Sequence, residues 1–410
     1  MLKKLLATTL ILVSAIGLTG CDILNSVRMG QINSDVKPSW NGAERIKLKS
    51  KFMGEKPYIY VMVDGEELLL LLDTGARFPI LFDTPKVKSM NWSKGFDLAL
   101  GGWGEQEDSY AYQSEAATID LGGVTFADMK VAILPISKSY YFLHPDESIN
   151  DGVIGHDIMK HFTWEFDASN NEIYISQQKY QPEANAQRLE LDEFFNKIYV
   201  TGDLAFNNNH ITTQDFIVDT GSRHYVKISS AYTDNNKIEL ASSKVRAADF
   251  GLNGMVEHDR VVLPSLTFGD IKMEKVKVNL IPQDDEDDYW IIGNAMMNQF
   301  KTIIDYNNQA FYLVPQKEYV TDYNLFGLEL RKMRSGEFIV RYVFPNLPAS
   351  HLDIEVGDLV TSINGKNAVD ISLSEYNDIA SIVGEYEVCI KRHEQCVVLK
   401  TEHIANYSDW

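Results

Sequence analysis

The strongest constraint on this chain is an internal duplication. Asp73-Thr74-Gly75-Ala76 follows the apolar run Leu68 to Leu72, and Asp219-Thr220-Gly221-Ser222 follows Phe216-Ile217-Val218, 146 residues later. The likeness extends to both sides of each triplet. Upstream, Tyr58-Ile59-Tyr60-Val61 and Lys197-Ile198-Tyr199-Val200 each begin a strand that turns back into the aspartate-bearing strand. Downstream, Leu121-Gly122-Gly123-Val124 and Leu266 to Ile271 read as hairpin turns. They lead into the alternating strands Met129 to Ile133 and Val276 to Leu280, which stop at Pro135 and Pro282. Gly152-Val153-Ile154-Gly155 and Trp290-Ile291-Ile292-Gly293 follow. After them come Phe162 to Asp167 and Phe300 to Asp305, then the aromatic closing strands Ile173 to Ile175 and Ala310 to Leu313. A fixed repeat of this size predicts two β-rich lobes of similar order.

One Asp-Thr-Gly is an ordinary turn after a strand, because aspartate and glycine are good turn formers. Two copies, each at the end of an apolar strand and each followed by an apolar-apolar-glycine segment, need another account. Burying an aspartate costs free energy unless it is paired or hydrogen-bonded. Doing so at two equivalent places points to one shared site, built from Asp73 and Asp219.

These residues resemble the retropepsin-like and pepsin-like aspartic peptidases, over roughly residues 50 to 315. The resemblance implies a two-lobed, mostly β peptidase fold in which the two carboxyls share a proton. It implies that one of Asp73 and Asp219 acts as general base on a water while the other protonates the substrate carbonyl, with no covalent intermediate and no cofactor. Thr74 and Thr220 match the threonines that brace the lobes, and Gly75 and Gly221 let the backbone turn beneath the carboxylates. Gly101-Gly102-Trp103-Gly104 stands where retropepsins carry a glycine-rich flap, and Gly251-Leu252-Asn253-Gly254 is its weaker counterpart. Plain mobile turns fit these glycines equally well. The chain departs from retropepsins in supplying both halves itself. Ala76 against Ser222 also makes the turns unequal, so Asp73 is expected to be the more easily protonated partner, with the Ser222 hydroxyl favouring an ionised Asp219.

After Pro315 the pattern changes to short strands, a loop and one helix, Leu373 to Val383, closed by a Val388 to Leu399 hairpin. Leu325-Phe326-Gly327-Leu328 resembles the carboxylate-binding loop of PDZ domains, and Val356 to Val360 with Ile363-Asn364-Gly365 resembles the strand-turn of bacterial PDZ modules. The resemblance implies an α+β domain over 323–403 that binds an extended chain end by strand addition, with Phe326, Gly327 and Leu328 facing its carboxylate. A rigid cap without a ligand is the competing reading. Cys389 and Cys396 flank the Arg392-His393 turn and count opposite each other, which fits a cross-strand disulfide or two buried thiols.

The first twenty residues read as a leader. Lys3 and Lys4 precede a short apolar stretch from Leu5 to Ile16. Leu18-Thr19-Gly20-Cys21 resembles the bacterial lipobox, which implies lipidation at Cys21 and an envelope-facing protein, and Asp22 resembles the signal for inner-membrane retention. Residues 21–48 read as a polar tether, 49–177 as the first lobe, 178–195 as a linker and 196–318 as the second lobe.

A formal charge of -20 disfavours wide contact with nucleic acid or an anionic bilayer. His156 and His161 lack metal-ligand spacing, no serine-nucleophile elbow or phosphate loop occurs, and the acidic run Asp284 to Asp288 reads as a solvated loop, so no metal is expected. The expected partners are extended peptides or proteins, a chain end at the C-terminal module, and the membrane through the lipid. A non-catalytic peptide-binding lipoprotein is the alternative function.

Overall fold

The computed structural model describes residues 20–240, 244–287, 290–317, 319 and 323–403. Its fold is mostly β, with two lobes that repeat one strand order.

In the first lobe, Lys56–Val63 and Glu66–Leu72 form a hairpin. The connecting Asp64-Gly65 pair has positive φ at both positions (47° and 88°), the turn whose twist matches that of the strands it joins. Leu68 to Leu72 are buried without alternation, because this strand runs through the middle of its sheet and is covered on both faces. Gly152–Ile154 pairs parallel to it and lies between it and Ile80–Phe82. Val124–Leu134, Ser109–Asp120 and Asp97–Leu100 complete the lobe, with Ser50–Met53 on the outer edge of Lys56–Val63.

The second lobe repeats this order strand for strand. Lys197–Asn207 and His210–Asp219 form the hairpin, Ile291–Gly293 pairs parallel to the latter, and Val226–Ser229, Ile271–Ile281, Gly254–Phe268 and Val245–Gly251 follow. Asp192–Phe194 is the edge strand equivalent to Ser50–Met53.

The closing strands of both lobes pair with each other. Thr163–Asp167 lies antiparallel to Phe300–Asp305, in a six-stranded sheet that also holds Arg45–Lys47, Glu172–Ser176, Gln187–Glu190 and Ala310–Pro315. One apolar core, from Leu48 through Trp164 and Phe216 to Leu313, runs beneath the two lobes.

Two segments depart from the sequence reading. Residues 21–48 are not an irregular tether: Gly20–Ser34 is a helix, here α1, and Ser39–Trp40 and Arg45–Lys47 are strands. Its apolar residues are too few to announce a helix, and tertiary contacts hold it instead. Met29 is fully buried, and the Asn33 side chain both donates to the carbonyl of Lys130 and accepts from its N–H (2.9 Å each). The 178–195 linker likewise contributes Gln187–Glu190 to the shared sheet and Asp192–Phe194 to the second lobe, with Leu191 buried between them. Residues 1–19, most of the segment read as a leader, and the Cys21 side chain lie outside the described residues.

The C-terminal residues build a separate sheet, in the order Leu328–Lys332, Phe338–Val343, Leu359–Ile363, Glu385–Ile390, Val397–Lys400, beside the helix Leu373–Ala380. Phe326, Phe338, Tyr376 and Leu399 centre its own core. The helix stops three residues before Val383, and the last hairpin joins Cys389 to Cys396 in a disulfide.

Candidate active site

Each lobe delivers its aspartate through the same crossing of backbones. The Asp73 N–H donates to the carbonyl of Ile154 (3.0 Å), and Asp219 pairs with Gly293. The glycines of the two apolar-apolar-glycine segments are required by close approach. A Cβ on Gly155 would stand 2.8 Å from the Ala76 carbonyl oxygen, and one on Gly293 would stand 2.9 Å from that of Ser222.

The two carboxylates are held by matching bonds. Asp73 Oδ1 accepts from the N–H groups of Gly75 (2.8 Å) and Ala76 (3.1 Å). Asp219 Oδ1 accepts from Gly221 (2.8 Å) and Ser222 (3.1 Å). Both carboxylates converge on one point, since a Cβ on Gly75 would stand 3.0 Å from Asp73 Oδ1 and 3.2 Å from Asp219 Oδ1. A Cβ on Gly221 would collide with the Asp73 carboxylate itself. Glycine at these two places is what allows the pair to face one another.

Thr74 and Thr220 lock this arrangement from below. Each threonine N–H donates to the other's hydroxyl oxygen (3.0 Å both ways). The hydroxyls in turn donate across the lobe boundary, Thr74 to the carbonyl of Val218 (2.5 Å) and Thr220 to that of Leu72 (2.9 Å). Both side chains are buried and fully used.

Electrostatics distinguish the pair. Desolvation first, and the neighbouring Asp219 second, push the Asp73 carboxyl up to about 7, against a smaller opposing pull from Lys56. The direction agrees with the expectation from sequence, but the reason given there does not hold. Ser222 Oγ is buried and makes no hydrogen bond, so its hydroxyl does nothing for Asp219.

The two glycine-rich loops are hairpin tips that meet. Gly101 to Gly104 belong to the tip joining Asp97–Leu100 to Ser109–Asp120, and Leu252-Asn253 joins Val245–Gly251 to Gly254–Phe268. Gln106 N–H donates to the Asn253 carbonyl (2.9 Å), and Asn253 N–H to the Trp103 carbonyl (2.8 Å). The Asn253 amide reaches Asp108 (3.0 Å), and Ser109 Oγ reaches the Leu252 carbonyl (3.1 Å). Leu252 packs against the apolar cluster that Ala76 of the Asp73 turn also borders. Lys227 stands 3.9 Å over the Trp103 ring and ion-pairs with Asp249 of the second hairpin, which also bonds His224.

The sequence reading missed this His224–Lys227–Asp249 cluster and a pair of arginines, Arg77 and Arg223, four residues past each aspartate. The duplication itself was the signal for the arginines. Arg77 lies against Gly30 of α1, and Arg223 ion-pairs with Glu329 of the C-terminal module.

That module sits on both lobes. Arg341 donates to the Tyr141 carbonyl (2.6 Å), the Tyr342 hydroxyl to Glu257 (2.8 Å), and Phe344 and Leu347 pack on Ala247 and Ala248 of the second hairpin. Of the residues matched to a carboxylate-binding loop, Phe326 and Leu328 are buried in the module's core. Gly327 N–H donates to Asn324 (3.1 Å), and the Leu328 carbonyl accepts from the Tyr376 hydroxyl (2.7 Å). Among the described residues, the one trio of candidate metal ligands is Glu387 with Cys389 and Cys396, and those two sulfurs are bonded to each other.

An aspartyl protease family model matches residues 202–295, which contain the Asp219 turn. Among solved structures, the chain is similar to the aspartic proteinase from Irpex lacteus, with 14% identity and a TM-score of 0.43 over 67% of this chain and 98% of that one. No curated protein matches the sequence.

Proposed function

We propose that this chain is a lipid-anchored aspartic endopeptidase of a bacterial envelope, facing the periplasm. The convergence of the Asp73 and Asp219 carboxylates at one point, braced by reciprocal threonine bonds, carries the reading. With its carboxyl pushed up to about 7, Asp73 holds the proton and donates it to the scissile carbonyl oxygen, while ionised Asp219 takes a proton from the attacking water. Two carboxyls so close cannot both ionise cheaply, and sharing one proton is the low-energy state at neutral pH. The joined tips exclude bulk water and hold an extended chain against the dyad.

In this reading the C-terminal unit is a PDZ-like module that recruits substrate or partner, and Cys21 carries the lipid that holds the enzyme at the inner membrane. Cleavage of a mixed peptide library from acid to neutral pH tests the enzyme directly. Loss of cleavage in both Asp73→Asn and Asp219→Asn is expected, and activity surviving in either variant would sink the shared dyad. Labelling of the intact chain in cells with a radioactive fatty acid, beside Cys21→Ser, tests the anchor.

A further inference from the structure

The edge hairpins of the two lobes are equivalent, and one of them is bare. Ser50–Met53 turns into Lys56–Val63 through Gly54 and Glu55, both with positive φ (53° and 73°). Asp192–Phe194 turns into Lys197–Asn207 through Phe195 and Asn196, again with positive φ (49° and 60°). The first turn is covered. Gly54 lies against Leu373 of the C-terminal module, and the Glu55 carbonyl accepts from Asn298 (2.8 Å). The second presents two phenylalanines to solvent, Phe194 at 58% and Phe195 at 73% exposure, with their rings edge to face at 4.5 Å. A phenylalanine with φ near +50° is strained, and glycine or asparagine would be cheaper at that place. Folding does not ask for these rings.

The pseudo-symmetry of the lobes indicates what covers them. The module that covers the first turn also holds Arg223 of the opposite lobe, through Glu329. The arginine equivalent to Arg223 is Arg77, and it lies against Gly30 of α1. Helix α1 also packs on the short helix His156–Met159, whose buried His156 reaches Glu193 in the bare hairpin (3.1 Å). The bare turn therefore belongs to the side of the molecule that carries α1. That helix begins at Gly20, and the residues before it are the apolar stretch Leu5 to Ile16 and the lipobox. With α1 docked on the lobe, no slack chain separates Cys21 from the folded body.

We propose that the Phe194–Phe195 turn is a membrane-contact tip, inserting its two rings among lipid headgroups beside the anchored N-terminus. It deepens the envelope reading above and rests on it. Of the charges flanking the tip, Glu193 is half in water but engaged by His156, Asp192 is exposed, and Lys197 is exposed and free to meet headgroup phosphates in shallow insertion. Lipid and tip together are two attachments, which orient the peptidase toward chains close to the bilayer surface.

The test uses the mature chain from residue 21 with Cys21→Ser, so that no lipid contributes, and vesicles of phosphatidylethanolamine and phosphatidylglycerol. The protein should co-sediment with vesicles, and Phe194→Ser with Phe195→Asn should weaken that partition roughly tenfold or more while cleavage of a soluble peptide is unchanged. Equal partition of the two proteins, or no vesicle binding by the parent, overturns the proposal. So does a solution mass showing that the tip joins two copies. If fatty-acid labelling fails at Cys21 while the tip still binds vesicles, the anchor reading falls and the tip stands.

Discussion

The two lobes carry the same strands in the same order and the same bonds around each aspartate, yet they are fastened to different things. In the first, the arginine past the aspartate lies against α1 and the edge turn against the C-terminal module. In the second, the arginine is held by the module through Glu329 and the edge turn is bare. The duplication thus dictates the interior, where both halves must meet the same packing and hydrogen-bond demands, and leaves the exterior free to diverge. The aspartate pair shows both tendencies: matched backbone donors, and unequal surroundings that push Asp73 upward.

The threonine lock is the most symmetric feature and the largest expected effect. Thr74→Val leaves the Thr220 N–H and the Val218 carbonyl buried without partners, and Thr220→Val does the same to Thr74 and Leu72. Each should cost about 3 kcal/mol of stability in urea unfolding. The two costs should agree within about 1 kcal/mol. A much cheaper variant in one lobe would show that the lobes do not share the lock equally.

The dyad sharpens the comparison through pH. An unfolded Asp73 releases its proton near 3.8, whereas the folded one keeps it up to about 7. Folding therefore becomes less favourable as pH rises between those values, and the penalty is complete above the upper one. Asp73→Asn removes it. The variant should be more stable than the parent at pH 8 by about 2 kcal/mol, roughly half the full linkage value because the two carboxyls share the effect, and the gain should vanish below the lower value. Parent kcat/KM should fall as pH rises through about 7, when Asp73 loses the proton it donates. A decline only at much lower pH would show that Asp73 is not held protonated by its surroundings.

What the sequence revealed follows the same division. The paired lobes, the dyad, the threonine brace and the two tips were legible because each occurs twice, and a coincidence in one copy is tested by the other. Helix α1 was not legible. It is polar, it occurs once, and Asn33 and Met29 find their partners on Val124–Leu134 and in the apolar cluster beneath the first tip, which no local pattern announces. The pairing of the closing strands across the lobes was hidden for a related reason, since register between distant strands is set by the assembled core rather than by either strand. Ser222 misled because a hydroxyl near an aspartate in sequence need not face it; here the Asp219 oxygen is taken by backbone N–H groups.

The smallest effect comes from the edge turns, where the same substitution logic should give opposite signs. Gly54→Ala places a Cβ against Leu373 at a positive φ and should destabilise by about 1 kcal/mol or more. Phe195→Gly relieves a left-handed phenylalanine that is 73% exposed, and should stabilise the soluble protein by about 0.5–1 kcal/mol. Thermal unfolding of both variants beside the parent reads the difference. A loss of stability in Phe195→Gly would mean that the ring pair supports the hairpin, and the bare turn would then need no partner to explain it. A gain would mean that the chain keeps a costly residue where the fold has no use for it, as expected of a contact made outside the molecule.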